Sequence, residues 1–164
     1  MASGNIHNNL RFDGLEFAYA PNFAGSDPRG YNSKHERYFD VKLDEDQATS
    51  LIDEGWNVRT NAKDPDNPIY SLRVFIRFDV IPPTVWQITS NNRLRLNENN
   101  IAVLDRANIK HIDCVVRPYN WANNGKVGTK AMVDQLYVVI EEDPFFDRYA
   151  DIPEADSSLP FDVD

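Results

Sequence analysis

The chain predicts a mostly-β domain, a small antiparallel barrel or sandwich carrying one main helix. Three observations lead there. Apolar and polar residues alternate over Arg37–Leu43 and Tyr70–Val80, the period of a half-buried strand, and Ile109–Tyr119 and Thr129–Glu141 read as two further long strands. Clusters of Gly, Pro, Asn and Ser separate these runs, as turns and loops would. A complete helix signature occurs over Asp44–Gly55, and no strand–helix–strand alternation follows, so a doubly wound nucleotide fold is not expected.

Taken in order, Leu10–Tyr19 alternates, with Gly14 interrupting the phase as a bulge does. Ala20–Lys34 reads as a long polar loop. Arg37–Leu43 is a strand with Phe39, Val41 and Leu43 on one face and Tyr38 on the other. Asp44 caps the helix, Gln47 completes a capping box, and Gly55 ends it. Ala48, Leu51 and Ile52 are its expected buried stripe. Trp56–Arg59 is a short strand and Asn61–Pro68 a polar turn. Tyr70–Val80 is the clearest strand, closed by Pro82-Pro83. Thr84–Thr89 and Arg93–Leu96 follow, joined by an Asn91-Asn92 turn. Asn97–Asp105 predicts a short helix with Ile101 and Leu104 inward. Ile109–Tyr119 and Thr129–Glu141 are long strands around a loop, Asn120–Gly128. The count is seven or eight strands and one or two short helices.

At 164 residues one domain is expected, with a core that needs no staples. The single cysteine, Cys114, lies in an apolar run and reads as a buried, inert thiol in a reducing compartment. Met1–Asn9 is polar and lacks the apolar stretch of a secretion signal. No apolar run approaches a membrane span, so no membrane partner is expected. The net charge is −9, but Glu141–Asp164 holds nine acids and one Arg, a balance of −8. Residues 1–140 therefore carry only −1, and the objection that a low pI raises to nucleic-acid binding mostly disappears without that segment. The expected division is a globular domain over 1–143 and a disordered acidic tail over 144–164.

Along Tyr70–Val80 one face presents Leu72, Val74, Ile76 and Phe78, and the other presents Arg73, Phe75 and Arg77. Cation, aromatic, cation is what single-stranded nucleic acid requires: charges to follow phosphates, rings on which bases stack. The same pattern also describes an exposed strand whose arginines pair with carboxylates, and the pattern alone does not separate the two. Arg93 and Arg95 share a face of their own strand and matter only if it borders Arg73 and Arg77. Arg117, Tyr119, Trp121, Lys126 and Lys130 surround the Asn120–Gly128 loop, where Asn124-Gly125 favours a tight turn and Gly128 allows close approach. Each ring alone is more often packing than platform; the set favours binding. Trp56 and Trp86 read as core, and Tyr38 is a weak groove candidate. His111 and Asp113 share a face without a third ligand, which suggests a hydrogen-bonded pair. No nucleotide, protease, hydrolase or redox motif is present, and neither enzyme activity nor a cofactor is expected.

The stretches YFDVKLDEDQATSLIDEGWNVRT and PPTVWQITSNNRLRLNENNIAVLDRANIKHIDCVVRPYNWANNGKVGTKAMVDQLYVVIEED resemble the single-stranded DNA-binding proteins of tailed bacteriophages. The likeness runs over about residues 10–150. Its most specific part is Arg117-Pro118-Tyr119 with Trp121, followed by Gly125-Lys126, Gly128 and Lys130. Arg59 stands where the family pattern has Lys, and Met132 where it has Tyr. The resemblance implies an OB-like antiparallel barrel, non-catalytic coating of single-stranded DNA in replication, recombination and repair, and residence in the cytoplasm of the bacterial host. Self-association on DNA is compatible with it. The acidic segment resembles the Phe-containing C-termini of such proteins, which implies docking of replication or recombination proteins through Leu159, Pro160 and Phe161. Asp162-Val163-Asp164 follow the ring, so Phe161 is not terminal. Two other classes compete: a structural or interaction β domain, in which Arg73 and Arg77 would be paired with acids, and a metal-dependent nuclease, for which His111 and Asp113 are the one hint.

Overall fold

The computed structural model describes residues 8–26, 30, 32, 34–79, 81–141 and 152–153. Among them lie eight strands and one α-helix: β1 (Leu10–Asp13), β2 (Arg37–Leu43), α1 (Glu45–Glu54), β3 (Val58–Asn61), β4 (Ile69–Ile76), β5 (Thr84–Ile88), β6 (Arg93–Leu96), β7 (Ile109–Asn123) and β8 (Lys126–Ile140). A single 3-10 turn spans Ile101–Asp105, with Ile101 and Leu104 buried as expected.

The eight strands form one sheet organised on β8. β7 runs antiparallel along one edge of it. On the other edge β4 pairs at residues 131–132 and β5 at residues 135–139, both parallel to β8. The sheet is therefore mixed, not antiparallel as the sequence predicted. β4 ends at Ile76 and β5 begins at Thr84, further along β8 and in the same direction; Pro82-Pro83, which supply no N–H to a ladder, immediately precede β5. β2 pairs with residues 70–76 of β4, β3 with residues 69–72 of β4, β6 with β5, and β1 with β7. The segment after β1 crosses to β2: Phe17 bridges Val41, Asn22 bridges Tyr38, and Lys42 N–H donates to Glu16 O at 2.8 Å.

The inward alternation of β2 and β4 is as read: Phe39, Val41, Leu43, Leu72, Val74 and Ile76 are all buried. β4 itself stops at Ile76, short of the expected strand end, and Val80 lies outside the described residues. The capping box at Asp44 and Gln47 forms in both directions, and Gly55 closes α1 with φ 101°. Ile52 is a correction: it is 49% exposed, since the residues that α1 buries are Ala48 and Leu51, and Trp56 just past the cap is buried in the same core. The polar loop hides another. Phe23 is fully buried against Phe17 and Phe39, ring centroids 6.2 Å from each. Asp105 holds it there, its carboxylate accepting from the N–H groups of Phe23 and Ala24 at 2.9 Å.

The Asn120–Gly128 loop is in fact strand. β7 and β8 continue to Asn123 and Lys126, and only Asn124 (φ 52°) and Gly125 (φ 78°) turn between them. Both left-handed values suit the two-residue hairpin turn that Asn-Gly favours. A bulge lies further down the same pair, where Val115 faces Gln135 but Val116 faces Val133. The extra residue, Asp134, resets the alternation. Leu136 and Val133 both point inward, and Met132, Lys130 and Gly128 are left on the outer face.

Candidate nucleic-acid interface

Directly paired residues share a face of a sheet, so the outer surface can be read from the register. Tyr38, Phe75, Met132 and Arg117 form one row across β2, β4, β8 and β7. Beside it lie Asp40 with Arg73, Lys130 with Tyr119, and Gly128 with Trp121. Met132, in the place of the family's Tyr, is buried on this outer face between Phe75 and Arg117. It fills the row without offering a ring.

A cleft of about 430 Å³ opens here, bordered by Arg59, Arg73, Phe75, Trp121, Gly128 and Lys130. Lys130 Nζ stands 5.0 Å from the Phe75 ring centroid. The Trp121 indole lies across Gly128 so closely that a Cβ there would meet Cζ2 at 2.5 Å. Arg59 and Arg73 also border a second cleft, of about 420 Å³, with Tyr19 and Lys63 on its far side. Tyr19 is held over β3 by a hydrogen bond from Asn61 Nδ2 to its hydroxyl at 3.3 Å.

Four of the expected residues thus meet in one cleft: Arg73, Phe75, Trp121 and Lys130. Tyr119 is exposed next to Lys130, and Lys126 is exposed at the hairpin tip. Arg117 donates to Ile81 O at 3.0 Å. Arg77 lies just past the end of β4, borders a different cleft, and pairs with Asp79 at 2.6 Å. Their hydrogen bond is the main cause that raises the guanidinium pKa and lowers that of the Asp79 carboxyl. Arg93 and Arg95 stand apart, because β6 pairs only with β5. Their neighbour Trp86 pairs with Tyr137, five residues along β8 from Met132 and so roughly 17 Å from the Phe75 row. Trp86 itself corrects the core reading: it is half-buried, with Arg93 4.6 Å above its ring. Leu159, Pro160 and Phe161 lie outside the described residues.

Sequence reasoning missed Arg59, Lys63 and Tyr19 as groove residues. Arg59 reaches the cleft because β3 pairs with β4, setting it opposite Ser71 on the face of Arg73 and Phe75. Alternation assigns Arg59 a face but not that neighbour.

Arg73 is not a free cation. Its Nε and Nη2 donate to the two carboxylate oxygens of Asp40 at 2.9 and 3.1 Å, and its Cζ lies 3.9 Å from the Tyr38 ring centroid. The bond to Asp40, against the opposing effect of burial, raises the pKa of the guanidinium. His111 and Asp113 form the expected pair at 2.8 Å, and Asp113 also accepts from Gly14 N–H. Among the described residues no group of three His, Cys, Asp or Glu is placed to hold a metal ion. No helix among them is long and apolar enough to cross a membrane.

A family model, that of the phage ssDNA-binding domain, matches residues 3–164. The chain belongs to this family. Its members are DNA-binding proteins, not enzymes, and the match runs on through the acidic segment. No curated protein matches. Among solved structures, the single-stranded DNA-binding protein from bacteriophage Enc34 is similar at 13% identity and a TM-score of 0.51, over 92% of this chain and 88% of that one. Its C-terminal truncation gives 13% and 0.51 over 88% of this chain and 97% of that one. The same phage protein in complex with ssDNA gives 14% and 0.49 over 84% and 89%. The likeness is one of fold: mostly β with one helix, as in OB-like phage proteins.

Proposed function

We propose that this phage ssDNA-binding protein coats single-stranded DNA without sequence preference in replication, recombination and repair. The observation that carries the reading is the open cleft in which Phe75 and Trp121 stand among Arg59, Arg73 and Lys130. Rings of this kind stack any base, each contributing roughly 1–3 kcal/mol, and cations beside them follow the backbone. Tyr119, Lys126 and Arg117 extend the surface along the β7–β8 hairpin, and Lys63 with Tyr19 extends it past β3. Arg93 and Arg95, beside Trp86, would serve a second, separate contact. The bridges from residues 16–22 to β2 support a closed OB-like barrel behind this face.

The acidic segment completes the proposal. Residues 144–164 act as a tail beyond a domain over 1–143. In the absence of DNA it competes for the cationic cleft, and on DNA it docks replication or recombination proteins through Leu159, Pro160 and Phe161. The site of action is the host cytoplasm. Several copies on one strand would lie side by side.

The deciding experiment is a fluorescence-anisotropy titration of labelled oligo-dT and of duplex DNA over a salt series. Affinity for the single strand should exceed that for the duplex and fall with salt, by a log–log slope of about −0.7 per phosphate contact. One observation favours the competing reading of an interaction domain: Arg73 and Arg77 are both paired with acids. Absence of salt-dependent oligonucleotide binding would overturn the proposal and favour that alternative.

A further inference from the structure

We propose that Arg73 serves as a platform on which a nucleobase stacks, and not as a phosphate contact. The inference rests on the ssDNA-binding reading above and assigns this residue a different task within it.

Asp40 is the starting point. It is 1% exposed, directly opposite Arg73 in the β2–β4 register, and meets the guanidinium edge-on through Nε and Nη2. A carboxylate 2.9 Å away offsets the attraction this cation could exert on a phosphate, and it repels the phosphate as well. A residue meant to collect backbone charge would be better placed without Asp40. What the pair does provide is orientation: two parallel hydrogen bonds fix the guanidinium plane.

Tyr38 backs that plane. With Cζ 3.9 Å from the ring centroid, one side of the guanidinium is occupied by the phenol. The Arg73 side chain is still 27% exposed, and it borders both clefts. A flat, delocalised cation, held by its edge and supported by a ring, is a surface that bases stack on in single-stranded recognition. Phe75 lies two residues along the same strand face, about 7 Å away by strand geometry. That is twice the roughly 3.4 Å rise of a stacked strand, so an extended chain could place one base on each platform. Lys130, over Phe75, and Arg59, which has no acid partner among the described residues, are then left to meet the phosphates.

The test separates plane from charge. Arg73→Lys keeps the charge beside Asp40 and removes the plane. Its affinity for oligo-dT should fall roughly 5- to 150-fold, the loss expected for one stacked base. The salt slope should stay at the wild-type value, whereas Lys130→Ala should reduce it by about 0.7. On a strand of the same length built from abasic nucleotides, wild type and Arg73→Lys should bind alike. An Arg73→Lys protein that binds oligo-dT like wild type, or that loses slope as Lys130→Ala does, overturns the proposal. Because altering Arg73 exposes a buried carboxylate to an imperfect partner, a measurement on unaltered protein stands beside it. The Arg73 Nε–H resonance should move upfield on addition of oligo-dA through the ring current of the stacked purine, and should not move so with the abasic strand. Equal shifts with both strands refute stacking. If wild type shows no salt-dependent binding to any strand, the ssDNA-binding reading fails with it; binding by wild type with unaffected Arg73→Lys refutes the platform alone.

Discussion

Gly128→Ala should damage DNA binding while leaving the fold nearly untouched. Gly128 faces Trp121 across the β7–β8 hairpin, and an added Cβ would lie 2.5 Å from Cζ2, 2.7 Å from Cε2 and 3.0 Å from Nε1 of the indole. Carbon atoms rest at about 3.5–4.0 Å, so the ring must withdraw by about 1 Å or more. Trp121 is 37% exposed near the hairpin tip and outside the core cluster, so it can swing outward at little cost to folding. The alanine also restricts the unfolded chain, which offsets that cost by about 0.4–1 kcal/mol. The net change in Tm should stay within about 4 °C. Binding is different, because the withdrawn indole no longer lines the cleft. Losing about 1 kcal/mol of a stacking contribution of roughly 1–3 kcal/mol weakens Kd about fivefold. Anisotropy titration with oligo-dT and a thermal melt measure the two effects. In a double-mutant cycle, Gly128→Ala should add nothing once Trp121→Ala is present. An unchanged Kd would show that the seating of Trp121 on Gly128 is irrelevant to DNA. A fall in Tm far beyond the stated limit would make the indole a packing element instead.

Removing residues 144–164 should tighten oligo-dT binding several-fold at low salt, with the difference vanishing as ionic strength screens the tail; equal or weaker binding at low salt would end the competition proposal. Asp105→Ala should destabilise the protein by about 1–3 kcal/mol in a urea titration, since the N–H groups of Phe23 and Ala24 lose their acceptor. A midpoint identical to wild type would show that the loop is held by Phe23 burial alone. Burial pushes the Cys114 thiol up to about 12 from 9.0, so at pH 8 a disulfide reagent should leave it untouched in the native state and label it fully in denaturant. Fast labelling of native protein would place Cys114 outside the core.

The readable parts of the fold were those fixed by neighbours in the chain. Alternation in β2 and β4, the capping box of α1 and the Asn124-Gly125 turn are local properties, and each is where the sequence put it. The unread parts depend on long-range pairing. Nothing near Pro82 reveals that β4 and β5 share one edge of β8 in parallel. The polar composition of Asn120–Gly128 hid two strand ends that have no apolar face to alternate, because the hairpin there projects past the core. Phe23 was lost in a loop because a single buried ring has no period. The site divides the same way. Arg73, Phe75, Trp121 and Lys130 were found by face and motif, and register brings them together. Arg93 and Arg95 do share a face, but their strand borders β5 and not β4, and Arg59 joined the cleft through a partner strand that its own segment does not name.

The acid-paired arginines are the sharpest point of tension between the two readings of this surface, and the details of the pairs differ in a way that matters. Arg77 and Asp79 lie two residues apart in an exposed segment, so their bond is a local solvated contact that DNA could replace cheaply. Arg73 and Asp40 sit on neighbouring strands, with the carboxylate almost wholly buried. Breaking that pair would strand a charge in the protein interior at a cost of several kcal/mol, so under the proposal a bound strand leaves it intact. A surface that merely neutralised its arginines would not need to bury one partner and stack the other on a ring. On the proposed reading the pair at Arg73 therefore bears on how a base is received in the cleft, and the electrostatic attraction for the strand is assigned to Arg59, Lys130 and the exposed Lys126.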